Sequence, residues 1–580
     1  MDGQRERVII EVGQRSDEFD YVIVGAGSAG CVLANRLSAS GKYRVLLLEA
    51  GGSDRNIWVQ MPLGYGRTFF DPKVNWMYHT EEDSGLNGRS AYWPRGKVLG
   101  GSSSINAMVY IRGLASDFDA WRDEGNSGWG WNDVLPYFTR SEDHDWGESE
   151  YHGVGGELRV TDVRKQVHPL CQDFLEGAEA CGYSQTDDFN GPQMEGVGSF
   201  HINTRNGWRA SSSNAFLRPA MKRKNLVVIT HAQASRVLFE GGAKVVDSMA
   251  KEGTENARLD IRDDASPHHK PRAIGVEYIK DNQTHQVIAR KEVILSGGAI
   301  NSPQLLQLSG IGDSDLLADL GIPLVFANSS VGKHMQDHLA MTHYYRSRKP
   351  TLNNELYPLM GKLKVGIQYL LGRKGLLSMS VNQAGGFIRS NPEEPQPNLQ
   401  LYFNPLTYTL KPGDSKLMNP DSYAAFSMLF NACRPESRGH LEIRSADPLE
   451  KPLIYPNYLD TERDIKEAIE GCRVLRELAA SEPIAKLIKS EKLPGWQVQS
   501  DEELLADFRE RAGTIYHAVG TCRMGQNVAN SVVDEKLRVH GVSGLRVIDA
   551  SVFPAITSGN TNAPSIMVGE RGADLVLGYV

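Results

Sequence analysis

Asp20-Tyr21-Val22-Ile23-Val24-Gly25-Ala26-Gly27-Ser28-Ala29-Gly30 runs through Cys31–Ser40 into Tyr43-Arg44-Val45-Leu46-Leu47-Leu48-Glu49-Ala50-Gly51-Gly52. Residues 20–27 are a short Val/Ile-rich run closed by glycine, the pattern of a strand buried on both faces. Residues 28–40 space Cys31, Leu33, Ala34 and Leu37 as one face of a helix does. Residues 43–52 repeat the buried-strand pattern. A strand, a helix and a strand within about 30 residues make a βαβ unit, and that unit implies a parallel sheet. Gly25, Gly27 and Gly30 match G-x-G-x-x-G at its first turn, and Glu49 ends the second strand 19 residues after Gly30. The glycines let the turn close and let backbone approach a ligand. The helix N-terminus at Ser28 and Ala29 attracts a pyrophosphate, and Glu49, followed by Ala50, accepts from an adenosine ribose. A dinucleotide site is expected, and this motif does not separate FAD from NAD.

Outward from this unit, residues 93–113 form a Gly/Ser loop running into an apolar segment. Residues 225–240 and 273–279 read as paired strands, and 241–272 between them as an exposed polar insertion. Residues 291–312 read as strand, glycine turn and helix. Residues 340–515 alternate helices with patterned strands such as 398–405. Residues 545–553 read as another buried strand and 565–578 as a closing helix. Parallel-type strands at both ends predict one domain interrupted by another, an α/β chain (α+β overall).

At 580 residues the chain is too long for one ordinary core. Its net charge of −8 disfavours nucleic acid as a partner. Six cysteines without a C-x-x-C pair support neither a disulfide framework nor a zinc site, so no metal is expected. No apolar run approaches a signal peptide or a transmembrane helix, so a cytoplasmic protein is expected, with peripheral membrane association and oligomerisation left open.

Two longer segments carry a family resemblance. Gly96–Asn106, continuing to Gly113 and Asp119, resembles the first signature of the glucose–methanol–choline (GMC) oxidoreductases. Gly298–Gly312 resembles the second. Tyr516–Gly525 is similar to the segment carrying their catalytic histidine, and Ser558–Pro564 to the one carrying its partner. The resemblance implies a Rossmann-type FAD-binding domain (19–158, 225–335 and 518–580) and a substrate domain on an antiparallel sheet (159–224 and 336–517). It places FAD against Gly25, Gly27, Ser28, Ala29, Gly30, Glu49 and Ala50, and against Arg95, Val98, Gly100, Gly101 and Ser102. Asn106, Ala107, Met108 and Val109 lie by the flavin ring, Val237 by the adenine, and Gly298, Asp549, Ala550, Asn560 and Thr561 along the remainder. Ile105 stands where members with covalently attached FAD can carry a histidine, so non-covalent FAD is expected.

The family's chemistry is alcohol oxidation. A histidine suits removal of the hydroxyl proton because its ordinary pKa is near neutrality. The resemblance makes His517 the base and Asn560 its partner, with Asn562 a one-slot alternative, and hydride passes to flavin N5. Tyr402, Phe403, Ile515 and Tyr516 are candidate substrate-pocket residues. Choline-oxidising relatives place a glutamate just after the Gln336-Asp337-His338 segment, where this chain has Ala340, which disfavours choline. Tyr402, and the lack of cysteine between Cys181 and Cys433, discount decarboxylation. A neutral primary aliphatic or aromatic alcohol is expected, with a quinone, a dye or O₂ as acceptor. Choline, a polyol or sugar, and a non-redox hydroxynitrile-lyase-like activity are the alternatives.

Overall fold

Valine, isoleucine and leucine crowd residues 21–24 and 45–48, and branched side chains of this kind suit strands packed on both faces. In the computed structural model, which describes residues 18–240, 270–409 and 418–580, they form strands Glu18–Val24 and Val45–Leu48. Helix Ser28–Ser38 joins them. Most of the expected insertion at 241–272 lies outside the described residues.

The parallel order is Leu226–Ile229, Val45–Leu48, Glu18–Val24, Gln283–Leu295 and Leu545–Val547. Gln283–Leu295 is shared between two pairings. Its first half pairs antiparallel with Ala273–Lys280, which pairs in turn with Gln233–Phe239, and its second half completes the parallel sheet. Residues 225–240 therefore form two strands, where the sequence pattern suggests one. The break falls at His231, which takes a φ of 56°. There the N–H groups of His231 and Ala232 donate to the carbonyls of Gly51 and Glu49.

The second sheet is antiparallel: Ile488–Leu493, Leu339–Ser347, Ala425–Ala432, Leu399–Asn404, Ala384–Ile388 and Gly196–Ser199, with Gly513–Thr514 also pairing on Leu339–Ala340. A strand alternates its faces. Leu399, Leu401 and Phe403 enter a core shared with helix Glu462–Ala480, while Tyr402 and Asn404 face a cavity between the two sheets.

The closing helix Asn562–Leu577 crosses Ser28–Ser38 so tightly that a Cβ on Gly569 would sit 2.9 Å from Ala29 Cα. Beside it the fully buried Glu570 is held by Arg36 at 2.7 Å and Arg140 at 2.6 Å. Two arginines share this one buried carboxylate, so removing either still leaves Glu570 with a cationic partner.

Candidate active site

The antiparallel pairing that joins Gly513–Thr514 to Leu339–Ala340 continues through the bonds of Ile515 to His338 and of Val519 to Gln336. It brings residues 336–340 alongside 513–519, and so His338 against His517. His517 Nδ1 lies 2.9 Å from His338 Nδ1, and His338 Nε2 lies 2.9 Å from the carbonyl oxygen of Cys433. On its other side His517 Nε2 lies 3.1 Å from Asn560 Nδ2, and Asn560 Oδ1 accepts from Gln400 Nε2 at 3.3 Å.

Two further contacts fix the backbone here. The His517 N–H donates to Asp337 at 2.6 Å, and Arg95 Nη1 donates to the Tyr516 carbonyl at 2.7 Å. Tyr516 takes a φ of 71°, a costly conformation for a bulky residue, and its neighbours hold it there. Burial, helped by the neighbouring His338 and Arg95, pushes the His517 pKa well below the ordinary histidine value. Burial pushes His338 down to about 4.

These bonds have one consistent direction. A carbonyl only accepts, so neutral His338 donates from Nε2 to Cys433 and offers a bare Nδ1. His517 Nδ1 must then carry the proton that fills that contact. The lone pair of His517 is left on Nε2, facing Asn560 and the cavity. Asn562 is not the partner in this arrangement: its Oδ1 accepts from Ser28 Oγ at 2.8 Å, at the start of the first helix.

One cavity of about 560 Å³ runs from the Gly25 turn to His517. It is lined by Gly25, Gly27, Ser28, Ala29, Glu49 and Ala50 at one end, and by Tyr402, Ile515, Tyr516, His517 and Asn560 at the other. Arg95, Gly101, Ser102, Asn106, Ala107, Met108, Val109, Gly298, Asp549, Ala550 and Thr561 lie along it. Five expected contacts do not line it. Gly30 is needed for packing, since a Cβ would meet the Gly25 carbonyl at 1.9 Å. Gly100 takes a φ of 88° and donates its N–H to the Ala26 carbonyl at 2.8 Å, so it ties the Gly100–Asn106 loop to the first turn. Val98 packs with Val59, Val74 and Ile105. Val237 is buried in the core of the first sheet with its N–H on Ser309 Oγ, and Ala232, Gln233 and Ala234 line the cavity from that segment. Phe403 points to the opposite face of its strand from Tyr402 and stacks on Phe174.

The cleft suits an anionic dinucleotide. Gly27 caps the first helix without any side-chain bond, so the helix's first N–H groups remain for a ligand. Cβ atoms on Gly27 and Gly298 would meet almost nothing, the nearest being the Ser296 carbonyl 3.8 Å from the former. Both glycines thus leave open space where a flat group can approach. Arg95 Nε and Nη2 are buried without a partner. Glu49 accepts from the N–H groups of Ala26 and Gly51, and burial pushes its pKa up to about 7.

Gly25 differs from Gly27. It takes a φ of 101°, and a Cβ there would sit 2.4 Å from the Ser296 carbonyl. Backbone strain of this kind costs about 1–3 kcal/mol before the clash is counted. Gly25→Ala is therefore expected to purify with at least about tenfold less flavin per chain, read from the flavin-to-protein absorbance ratio. Gly27→Ala should fold with an undistorted turn.

Asp337, His338, Gln400 and Arg209 are absent from the sequence-based candidates. Arg209 donates to both the carbonyl and the side chain of Asn106, at 2.7 and 2.8 Å, and so holds the Gly100–Asn106 loop. The Gln336-Asp337-His338 run carries a signal of its own, a carboxylate beside a histidine. Elsewhere, Glu142, His144 and His152 form a buried titratable group. Both ring nitrogens of His152 are already engaged, by Glu142 at 3.1 Å and Asp188 at 2.9 Å, and Arg112 completes the ion-pair network.

The fold and the cleft are those of an FAD-binding oxidoreductase. Family models described as GMC oxidoreductase match residues 19–340 and 435–569, and the chain belongs to the GMC oxidoreductase family. It is 43% identical to human mitochondrial choline dehydrogenase, covering 99% of this chain and 92% of that one. It is also 43% identical to an alcohol dehydrogenase [acceptor] of Pseudomonas putida, covering 96% of each. Among solved structures, pyridoxine 4-oxidase from Mesorbium loti superposes with a TM-score of 0.80 at 30% identity, over 96% of this chain and 98% of the other.

Proposed function

We propose that this enzyme oxidises a neutral primary aliphatic or aromatic alcohol to the aldehyde, with His517 as the base. The observation that carries this reading is the one-way chain from Asn560 through His517 and His338 to the Cys433 carbonyl, which leaves a lone pair on His517 Nε2 at the cavity. FAD would be held by the Gly25–Ala29 turn, Glu49, the Gly101–Val109 loop, Gly298 and Asp549. When bound, it supplies the two-electron acceptor. The rest of the work falls to the chain. Asn560 orients the alcohol oxygen, His517 Nε2 takes its proton, and the apolar cavity walls exclude water.

Two acids line the cavity among the described residues, Glu49 and Asp549. Both already accept backbone N–H groups at the dinucleotide end. Ala340 lines the substrate end without a charge. A cationic substrate thus finds no free carboxylate there. Choline is the second reading, favoured by the aromatic lining of Tyr65, Phe69, Tyr344 and Tyr516, since ring faces attract an ammonium, and by the choline dehydrogenase relatives.

FAD is taken to be non-covalent because Ile105, which lines the cavity, offers no nucleophile. Acid precipitation should leave the yellow colour in the supernatant, and a yellow pellet overturns that assignment. Anaerobic addition of aliphatic, aromatic, polyol and choline substrates, followed by re-oxidation with air or a quinone, tests the reaction. Bleaching by neutral primary alcohols is expected. Bleaching by choline alone selects the second reading, and no bleaching by any of them selects a non-redox activity.

A further inference from the structure

Helix Leu359–Gly372 carries its apolar residues on the wrong side for a soluble protein. Leu359 is 81% exposed and Leu371 86%, and Met360, Leu363, Ile367 and Leu370 are exposed with them. At about 100° per residue these six fall within an arc of about 120°. The buried residues of the helix, Val365 and Tyr369, lie on the opposite side. Tyr369 fastens the helix to the body by donating its hydroxyl to the Gly207 carbonyl at 3.0 Å. Lys362 and Lys364 project from the two flanks of the apolar arc, and both are exposed. From Tyr357 to Lys374 the chain has four basic residues and no acidic one, within a protein of net charge −8.

We propose that this helix docks the enzyme on an anionic lipid surface, with the leucine-rich arc in the acyl boundary and the lysines at the headgroups. An apolar stripe flanked by lysines is what an interfacial helix needs, and anionic headgroups match its local charge. A second copy of the chain is the poorer occupant, because a symmetric pairing would set these cations against each other. The placement relates the membrane to the cavity. Val365, on the inward side, belongs to the same hydrophobic cluster as Val381 and Tyr65, and both of these line the cavity. The docked face and the cavity are thus joined through one cluster, which sets a bilayer-dissolved acceptor or alcohol on the side of the protein that leads to the site.

The test is co-sedimentation of the holoenzyme with vesicles of phosphatidylcholine containing phosphatidylglycerol, against pure phosphatidylcholine. The wild type should bind the anionic vesicles, and raised salt should weaken that binding. The double variant L363E/L370E, altered only at exposed positions, should bind at least about tenfold less while oxidising a soluble alcohol with a soluble dye at the wild-type rate. The proposal is overturned if the wild type binds neither vesicle, or if the variant binds as well as the wild type. It is equally overturned if light scattering shows a dimer that the variant dissociates and vesicles do not compete.

Discussion

Replacing His517 with alanine is expected to slow anaerobic flavin reduction by at least about 100-fold while FAD stays bound. His517 lines the cavity with its hydrogen bonds to His338, Asn560 and Asp337, not to the Gly25–Ala29 turn that would hold the pyrophosphate. Its loss therefore removes a base and leaves the cofactor cradle standing. Among the described residues within hydrogen-bond reach of Asn560, His517 is the one side chain whose lone pair can take a proton at neutral pH. Neither the Asn560 nor the Gln400 amide can do so. Rapid mixing with alcohol measures the effect directly, and near-native reduction in a variant with full flavin content would remove His517 from the mechanism.

The same residue sets a pH dependence. The base works in its neutral form. Burial first, and then His338 and Arg95, hold the His517 pKa well below the ordinary value of 6.5. The neutral form therefore persists as pH falls through 6.5. We expect kcat/KM to stay level through that region and to fall only at more acidic pH. A single acid limb centred near pH 6.5 would mean that the ring is solvated and its charge tolerated, contrary to the buried contacts.

The fold's leading half was legible because its signals are local. A buried βαβ unit with glycines at fixed spacing needs no information from elsewhere in the chain, and it folds as the spacing of Gly25, Gly27 and Glu49 predicts. What the sequence hid was long-range. Val237 looked like an adenine contact, yet His231 breaks the strand and turns Ala232–Ala234 into the cavity instead. Phe403 looked equivalent to Tyr402, and only knowing which face of the sheet meets the cavity separates them. His338 stands 179 residues from His517. No periodicity links two residues at such a distance, and the antiparallel pairing of 339–340 with 513–514 does. Asn560 and Asn562, ambiguous by one slot in the sequence, are separated by what each side chain touches.

His338→Phe should reduce the rate of flavin reduction by roughly 5- to 150-fold without altering flavin content. The figure follows from the bond it removes. With phenylalanine in place, the His517 Nδ1–H faces a buried apolar ring, and an unsatisfied buried donor costs about 1–3 kcal/mol. His517 escapes that cost by moving its proton to Nε2, the tautomer that cannot act as a base toward the cavity. The rate therefore falls with the population of the working tautomer, much as loss of an orienting group acts in other histidine-based sites. His338→Asn distinguishes this role from mere packing. An asparagine Oδ1 can occupy the place of the imidazole Nδ1 and accept from His517, so His338→Asn should recover much of the lost rate although it leaves space that the bulkier phenylalanine fills. If His338→Asn is as slow as His338→Phe, or if His338→Phe reduces its flavin as fast as the wild type, then His338 is packing and the tautomer of His517 is set by something else.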